Sequence, residues 1–555
     1  MAKMGEGVLQ GVFCGIFKAC ARDVVSSILL AMAKRPRYLT ESEISKIMNE
    51  SDSETSKDSD CDIGNYSGSE GSSSSETEGY DYDEEVAGDA CSEPATNWSS
   101  EIKQIPEIDF SVRTGPNFTT AQPVTELDCF NLFFDERLLD IIVNETNAFA
   151  QKIIEKKQSE SEPSTSCLIK PFQNITVDEL MIFLSLVILM SIIRKPNLKM
   201  YFSTNTMLLT PFFSMAMARN RFLDILRFLH FNSDAEAKKL EKIKPVLTAL
   251  IENFKSILTP ERNICIDETL FGWKGRLSFR QYIPSKRARY GIKIYKLCES
   301  QTGYIWNCCV YTGKDTGIIQ TAGLYGERVV KTLLSDLLGK GYNLYLDRFF
   351  VSPNLASYLH ENNTNMCGTV MRNRKGMPKI IPDDKKKTVL MLSTAHDNVI
   401  VSVGKKDRKT GEDISKPLCV VEYNQNMGGV DCGDSVIHHY PAFRKTVKWY
   451  KKLFFGFLDV ALLNANIIYS KVKGEKLSAL EFRTRIVHQI TDKFSKPKTH
   501  KIAPKSPDTQ PFRLSGRHFP KIYIDGKGKL GLTAQSAWAR GDVPLRSVRS
   551  RVSDQ

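Results

Sequence analysis

The chain has 555 residues, 41% of them hydrophobic and 25% charged, with a formal net charge of +12. That length exceeds one ordinary domain, and the composition excludes a fibrous or wholly disordered protein. Its 13 cysteines form no Cys-x-x-Cys pair, so spacing supports neither a disulfide framework nor a zinc site, and a reducing intracellular compartment fits best.

Residues 1–105 are expected to be a leader followed by a disordered acidic region. The first 31 residues are weakly amphipathic, interrupted by Lys18, Arg22 and Asp23, and Met32 opens a more ordinary start, "MAKRPRYLT". They are expected to be an upstream extension rather than a signal peptide or membrane anchor. Residues 41–95 hold 17 acids against Lys46 and Lys57, about −15, which leaves about +27 for the rest of the chain. Such a Ser-, Asp- and Glu-rich stretch cannot bury enough apolar surface to order itself. Its serines beside acids suit phosphorylation, and equally a plain solvated tail. The basic remainder suits a polyanion, with nucleic acid the first expectation.

Over 106–262 the pattern turns helical. "DERLLDIIVNETNAFAQKIIEKK" and "RNRFLDILRFLHFNSD" repeat apolar residues at three- and four-residue spacing. The basic face of the second, Arg219, Arg221 and Arg227, reads as a solvated face before a phosphate contact. The apolar run Leu180–Ile193 is too short to cross a bilayer comfortably. Thr176 with Glu179 before it, and Arg194-Lys195-Pro196 after it, read as the start and stop of one buried helix. No membrane is expected.

From 263 to 375 the period becomes that of strands, "NICIDE", "FRQYIPS", "YGIKIYKLCE" and "GYIWNCCVYTG". The helix "ERVVKTLLSDLLGKG" and the strand "YNLYLD" follow, an order that predicts a mixed α/β core. Residues 376–417 are broken by Gly, Pro and charge and read as an insertion holding one strand-like piece, "TVLMLST". The core is expected to resume over 418–437. Helical spacing returns over 438–500 in "WYKKLFFGFLDVALLNANIIYSKV", and 501–555 form a basic tail. No internal repeat is found.

Three acids stand out. Asp267 and Asp347 each end an apolar, strand-like run, and Asp431 follows Gly428-Gly429, with Asp434 three residues on and able to share its helical face. A carboxylate at the end of a buried strand is costly without a neutralising partner, and acids brought together raise one another's pKa. Hard divalent cations relieve that repulsion. The expected cofactor is Mg2+ or Mn2+, as two ions held and bridged by Asp267 and Asp347, with Asp431 and Asp434 completing the second ion's shell.

Basic clusters trail each acid. Lys274, Arg276, Arg280, Lys286, Arg287, Arg289 and Lys293 follow the first, and Arg372, Arg374 and Lys375 the second. Arg444, Lys445, Lys448, Lys451 and Lys452 surround Trp449 after the third. Cations interleaved with aromatics suit phosphates and unpaired bases. All but Lys293, Lys448 and Lys452 are taken as candidate DNA contacts.

"ICIDETLFGWKGRLSFRQYIPSKRARYGIKIYKLCES", "YLDRFF", "CGTVMRNRKGMP" and "YNQNMGGVDCGDS" closely resemble, in order, the motif blocks of piggyBac-type transposases and the host proteins derived from them, over about 105–520. The resemblance implies an RNase H-like catalytic core interrupted by an insertion. It also implies a helical dimerisation and DNA-binding domain built from segments on both sides, and a homodimer. It makes Asp267, Asp347 and Asp431 a DDD triad, Asp434 an accessory acid, and Trp449 a tryptophan near the DNA end. It further implies double-stranded DNA as partner, cutting at terminal inverted repeats, hairpin ends, integration at TTAA, and work in the nucleus.

Departures from the pattern accompany the likeness. Arg348 stands where Asn commonly follows the second Asp, and "DCGDS" replaces an Asp-x-x-Asp-Gln pattern. After "RLSGRHFPKI" no cysteine occurs, so the family's cysteine-rich zinc domain is expected to be missing and no zinc is expected. Retained cleavage and strand transfer is the first reading, with autonomous transposition disfavoured. A domesticated, catalytically silent DNA-binding or chromatin-associated protein is the second, and a dimerising scaffold a distant third.

Overall fold

The computed structural model describes residues 98–99, 105–117, 125–160, 172–234, 236–284, 286, 288–313, 317–378, 388–406, 410–442 and 446–495, with short strands at 19–20, 518–524 and 530–536. The expectations for the acidic stretch 41–95 lie outside these residues. The chain divides into two compact units, 1–495 and 496–555.

Among the described residues of the first unit, helices begin at Glu126. α1 (Glu126–Asn131) starts in a full capping box, Thr125 accepting from the backbone of Asp128 and Asp128 from that of Thr125. α2 (Glu136–Glu160) carries the first helical repeat. α3 (Val177–Ile192) is the buried helix the caps predict, with Thr176 accepting from the amide of Glu179 at 3.3 Å. Glu179 does not close a capping box. Its carboxylate pairs with Arg221, 2.6 Å away. Arg221 lies on α5 (Arg219–Phe228), which follows the short α4 (Pro211–Ala216), so one cation of that basic face is taken internally. α6 (Lys244–Ile257) leads into the sheet.

The central sheet comprises β1 (Asn263–Gly272), β2 (Tyr290–Glu299), β3 (Ile305–Val310), β4 (Asn343–Leu346), β5 (Asn365–Val370) and β6 (Thr388–Ser393), in the order β6-β5-β4-β1-β2-β3. β1, β4 and β5 run parallel, the other neighbours antiparallel. A two-residue strand, Ala19–Cys20, pairs with β6, and Gln281–Tyr282 pairs with the start of β2. α7 (Tyr325–Leu334) joins β3 to β4, and α8 (Pro353–Glu361) joins β4 to β5. Ile264, Cys265 and Ile266 are wholly buried, the unbroken apolar run of a strand covered on both faces.

Three expectations need correction. "FRQYIPS" supplies only Gln281–Tyr282 as strand. "TVLMLST" lies inside the 376–417 segment yet is β6 of the central sheet, while β7 (Ile400–Lys406) and β8 (Asp413–Pro417) form a separate hairpin. Most relevant to the acids, β1 does not end at Asp267. Its pairing with β4 stops at Ile266–Leu346, but its pairing with β2 continues to Gly272–Gly291. Asp267 is therefore the first residue past the parallel pairing, where the sheet opens on one side.

α9 (Leu418–Asn426) and α10 (Gly429–His439) return to the sheet, and α11 (Trp449–Lys473) and α12 (Ala479–Phe494) rejoin the helical layer. α11 is long and apolar enough to cross a membrane by length and composition alone, but it is mostly buried inside the protein. Asn464, in its middle, completes the edge of β3 like a backbone group, accepting from the amide of Ile305 at 2.9 Å and donating to its carbonyl at 2.8 Å. In the second unit, β9 (His518–Ile524) and β10 (Leu530–Ser536) pair antiparallel.

Candidate active site

Register places the first two acids. Ile266 of β1 lies opposite Leu346 of β4, so Asp267, still within β1, and Asp347, just past β4, follow the same rung of strands about 4.8 Å apart. Asp347 Oδ1 accepts from the amide of Arg348 at 2.7 Å and from Thr369 Oγ1, at the end of β5, at 3.2 Å.

The third acid arrives on α10, which approaches the sheet closely because of two glycines. A Cβ on Gly429 would meet Cys265 Sγ at 2.8 Å and the backbone of Ser300 at 3.1 Å, and one on Gly433 would meet Leu463 at 3.1 Å and the carbonyl of Gly303 at 3.2 Å. The amides of Gly429 and Val430 point at the Cys265 thiol. Asp434 then clamps the helix down, accepting from Lys296 Nζ at 2.6 Å and Thr269 Oγ1 at 2.7 Å. Lys296 is fully buried and lies directly opposite Asp267 in the β1–β2 register, so it shares Asp267's face of the sheet. Asp431, one turn before Asp434, is brought towards Asp267.

The electrostatics record this crowding. Burial first, then the charges of Glu268 and Asp431, push the carboxyl of Asp267 up to about 7, although Lys286 and the amide of Glu268 pull it down. Lys286 is the partner supplied by the chain. Its Nζ donates to the carbonyl of Glu268 at 3.0 Å and stands 4.0 Å from that residue's carboxylate. Burial lowers this ammonium, but Asp267, Glu268, Asp431 and Asp434 together outweigh it and hold it above its ordinary value. Tyr423 of α9 completes the ring. Burial, then the charges of Asp347 and Asp267, push its phenol up, and it bonds to Thr369.

The donors are hard carboxylate oxygens, the chemistry a magnesium-sized cation takes, and the repulsion at Asp267 is what a cation relieves. Among the described residues, however, no three His, Cys, Asp or Glu side chains are gathered closely enough to hold an ion. Asp431 acts on Asp267 through its charge, and Tyr423 feels both Asp347 and Asp267, without the acids forming a finished cage.

The candidate DNA contacts separate. Lys274, Arg276, Arg280, Arg289, Arg372 and Lys375 are exposed. Trp449 is half-buried, its ring edge-on to Phe279 at 5.2 Å. Arg287, Arg444 and Lys445 lie outside the described residues. Two assignments fail because the side chains are used inside the fold. Arg374 is buried and donates to the carbonyl of Phe349 at 2.6 Å, fastening the loop after Asp347. Lys451 is buried and caps α5, donating to the carbonyls of Leu226 at 2.7 Å and Arg227 at 2.9 Å, although burial and then Lys448 pull its ammonium down to about 7. Sequence reading missed Lys296, Thr269, Thr369 and Tyr423. All four lie inside the quoted motif blocks, Thr269 and Lys296 in the first, Thr369 in "CGTVMRNRKGMP" and Tyr423 at the start of "YNQNMGGVDCGDS", but nothing local told them from their neighbours.

A family described as Transposase IS4 matches residues 125–386 and 383–466. Human PiggyBac transposable element-derived protein 3 is 24% identical over 427 residues, 70% of this chain and 69% of that protein. Human PiggyBac transposable element-derived protein 2 is 25% identical over 385 residues, 62% of this chain and 61% of that one, so the chain spans about three fifths of its length. A cryo-EM structure of a piggyBac transposase synaptic complex with hairpin DNA is similar with a TM-score of 0.58 and 27% identity, covering 71% of this chain and 86% of that one.

Proposed function

This chain belongs to the piggyBac-type family of transposases and transposase-derived proteins, and from that premise we propose that it cleaves and transfers DNA strands in a divalent-metal-dependent reaction. The observation that carries the proposal is that Asp267 and Asp347 both follow the last parallel rung of β1 and β4, while the charge of Asp431 on α10 reaches Asp267, whose carboxyl is pushed up to about 7. The strand order β3-β2-β1-β4-β5, with an acid on β1, after β4 and on a following helix, supports an RNase H-like core. Asp267, Asp347 and Asp431 would hold Mg2+ or Mn2+, and two such ions when bound stabilise the attacking and leaving oxygens of phosphoryl transfer.

The chain's own residues do the rest. Asp434, locked to Lys296 and Thr269, holds α10 at the height that presents Asp431. Lys286 brings a positive charge to the acids, where a phosphodiester must pass close to four carboxylates. The exposed cations at 274, 276, 280, 289, 372 and 375 supply a path for double-stranded DNA. TTAA-containing targets and transposon ends, a homodimer through the helical layer, and work in the nucleus complete the proposal.

A second reading, a catalytically silent DNA-binding protein, is favoured by one observation. Lys286, held above its ordinary value by four carboxylates, already brings the acid cluster one cation from the chain itself.

The test uses the full-length protein and supercoiled plasmid carrying TTAA. Cleavage should require Mg2+ and stop with chelator. Magnesium at 100 times its dissociation constant should also stabilise the fold by about 2.7 kcal/mol. No nicking and no metal-linked shift would replace the enzyme by the silent reading.

A second expectation addresses the DNA path. Reversing the charge of Arg276 and Arg289 should flatten the dependence of log Kd on log salt by about 0.9 for each phosphate that is no longer neutralised. Lys451→Met should leave that slope unchanged while lowering the melting temperature, because two helix-end carbonyls lose their donor. Salt titrations on one duplex check both.

A further inference from the structure

The loop that delivers Lys286 to the acids is closed at its base by an exposed aromatic pair. Gln281–Tyr282 and Tyr290–Gly291 form a two-rung antiparallel ladder, with Tyr282 directly opposite Tyr290. Their rings meet in a tilted pair, 4.6 Å between centroids and 34° between planes. Large aromatic side chains normally bury most of their surface, yet Tyr282 is 51% exposed and Tyr290 40%. The Arg280 guanidinium lies 5.1 Å from the centre of the Tyr290 ring and is held there by donating to the carbonyl of Lys274 at 3.1 Å.

The strip continues inward through chain neighbours. Phe279, beside Arg280, is buried edge-on against Trp449. At the far end of the same loop, Lys286 reaches the carbonyl of Glu268, next to Asp267. An exposed aromatic pair with a cation laid on it and further exposed cations at Lys274, Arg276 and Arg289 has the composition of a platform on which a base stacks while its phosphates meet positive charge. A paired base keeps both faces inside its own duplex and cannot use such a platform.

We propose that Tyr282 and Tyr290, backed by Arg280, form a stacking subsite for an unpaired nucleobase of DNA held at the acid cluster. The subsite rests on the DNA-handling reading of that cluster and adds a preference for unpaired over paired ends. Stacking is indifferent to base identity, so the preference is for structure rather than sequence.

The experiment measures affinity of the full-length protein for two fluorescent duplexes of equal charge, one blunt and one with an unpaired tail of about four nucleotides carrying 2-aminopurine. Wild type should favour the tailed duplex and quench the 2-aminopurine. Tyr282→Leu and Tyr290→Leu, which keep apolar bulk, should lose roughly 5- to 150-fold on the tailed duplex, the 1–3 kcal/mol of one stacked base converted at 1.4 kcal/mol per tenfold, and should lose quenching. Blunt-duplex affinity should not change. Tyr282→Phe and Tyr290→Phe should behave as wild type. Equal losses on both duplexes, or no preference by wild type, overturn the subsite and leave the DNA reading standing. Failure of wild type to bind either duplex overturns the DNA reading and the subsite with it.

Discussion

Arg483→Leu is expected to destabilise the protein by about 3–5 kcal/mol, because it strands a charge in the helical layer. Arg483 Nη2 lies 2.9 Å from Asp459 Oδ1, and both side chains are only 4% exposed. The guanidinium also donates to Ser191 Oγ of α3 at 3.2 Å, and the other Asp459 oxygen accepts from the amide of Ala442 at 2.9 Å. One ion pair thus fastens α11, α12, α3 and the segment after α10. Burial outweighs the guanidinium and pushes the Asp459 carboxyl above its ordinary value, so without Arg483 it must take up a proton or remain unpaired. The double variant Arg483→Leu with Asp459→Leu should recover most of the loss, since apolar pairs of similar volume often replace buried ion pairs without cost. Denaturant unfolding checks it. A single-variant loss under about 1 kcal/mol would mean that water reaches the pair.

Asp267→Asn should remove strand cleavage by at least 10²–10³-fold, the loss typical of one preorganised electrostatic group at a reacting centre, while duplex affinity stays near wild type because the exposed cations are untouched. The same variant has a pH signature that owes nothing to activity. Folding raises this carboxyl from its ordinary 3.8 to about 7, so between those values the folded wild type binds more protons than the unfolded chain. Its stability therefore falls as pH rises through that window and is lowest above pH 7. Asn cannot titrate. In chelator, the variant should melt close to wild type near pH 4 and progressively above it up to pH 8. An advantage independent of pH would show that Asp267 is solvated and not crowded by Glu268 and Asp431.

Much of the fold was legible because burial leaves a period in sequence. The apolar run at 180–193 with Thr176 before it became α3, and the β-prone runs at 263, 290, 305, 343 and 388 became strands of one sheet. The strand "FRQYIPS" failed because only two of its residues find ladder partners. The reading that Asp267 ends a strand failed for a related reason. The apolar run does end there, but antiparallel pairing with β2 carries the backbone six residues past the last parallel rung, Ile266–Leu346, to Gly272. Candidate DNA contacts divided according to what a basic side chain meets once folded. Arg276 and Lys375 stayed outside, while Arg374 and Lys451 found backbone carbonyls that needed donors.

The sequence by itself determined the family, through long ordered motif blocks, and it singled out Asp267, Asp347 and Asp431 as candidates. It determined the alternation of helix and strand, since side-chain periodicity is local. Only the tertiary structure decided how the acids are neutralised. That depends on which cations the register and the approach of α10 bring within reach, and no local pattern encodes it. Lys296, opposite Asp267 in the register, is spent on Asp434, and Lys286 comes back from the tip of a loop to stand among four carboxylates. Along the chain both lysines simply follow the same acid. Three-dimensional pairing made one a buried clamp and left the other facing the carboxylates.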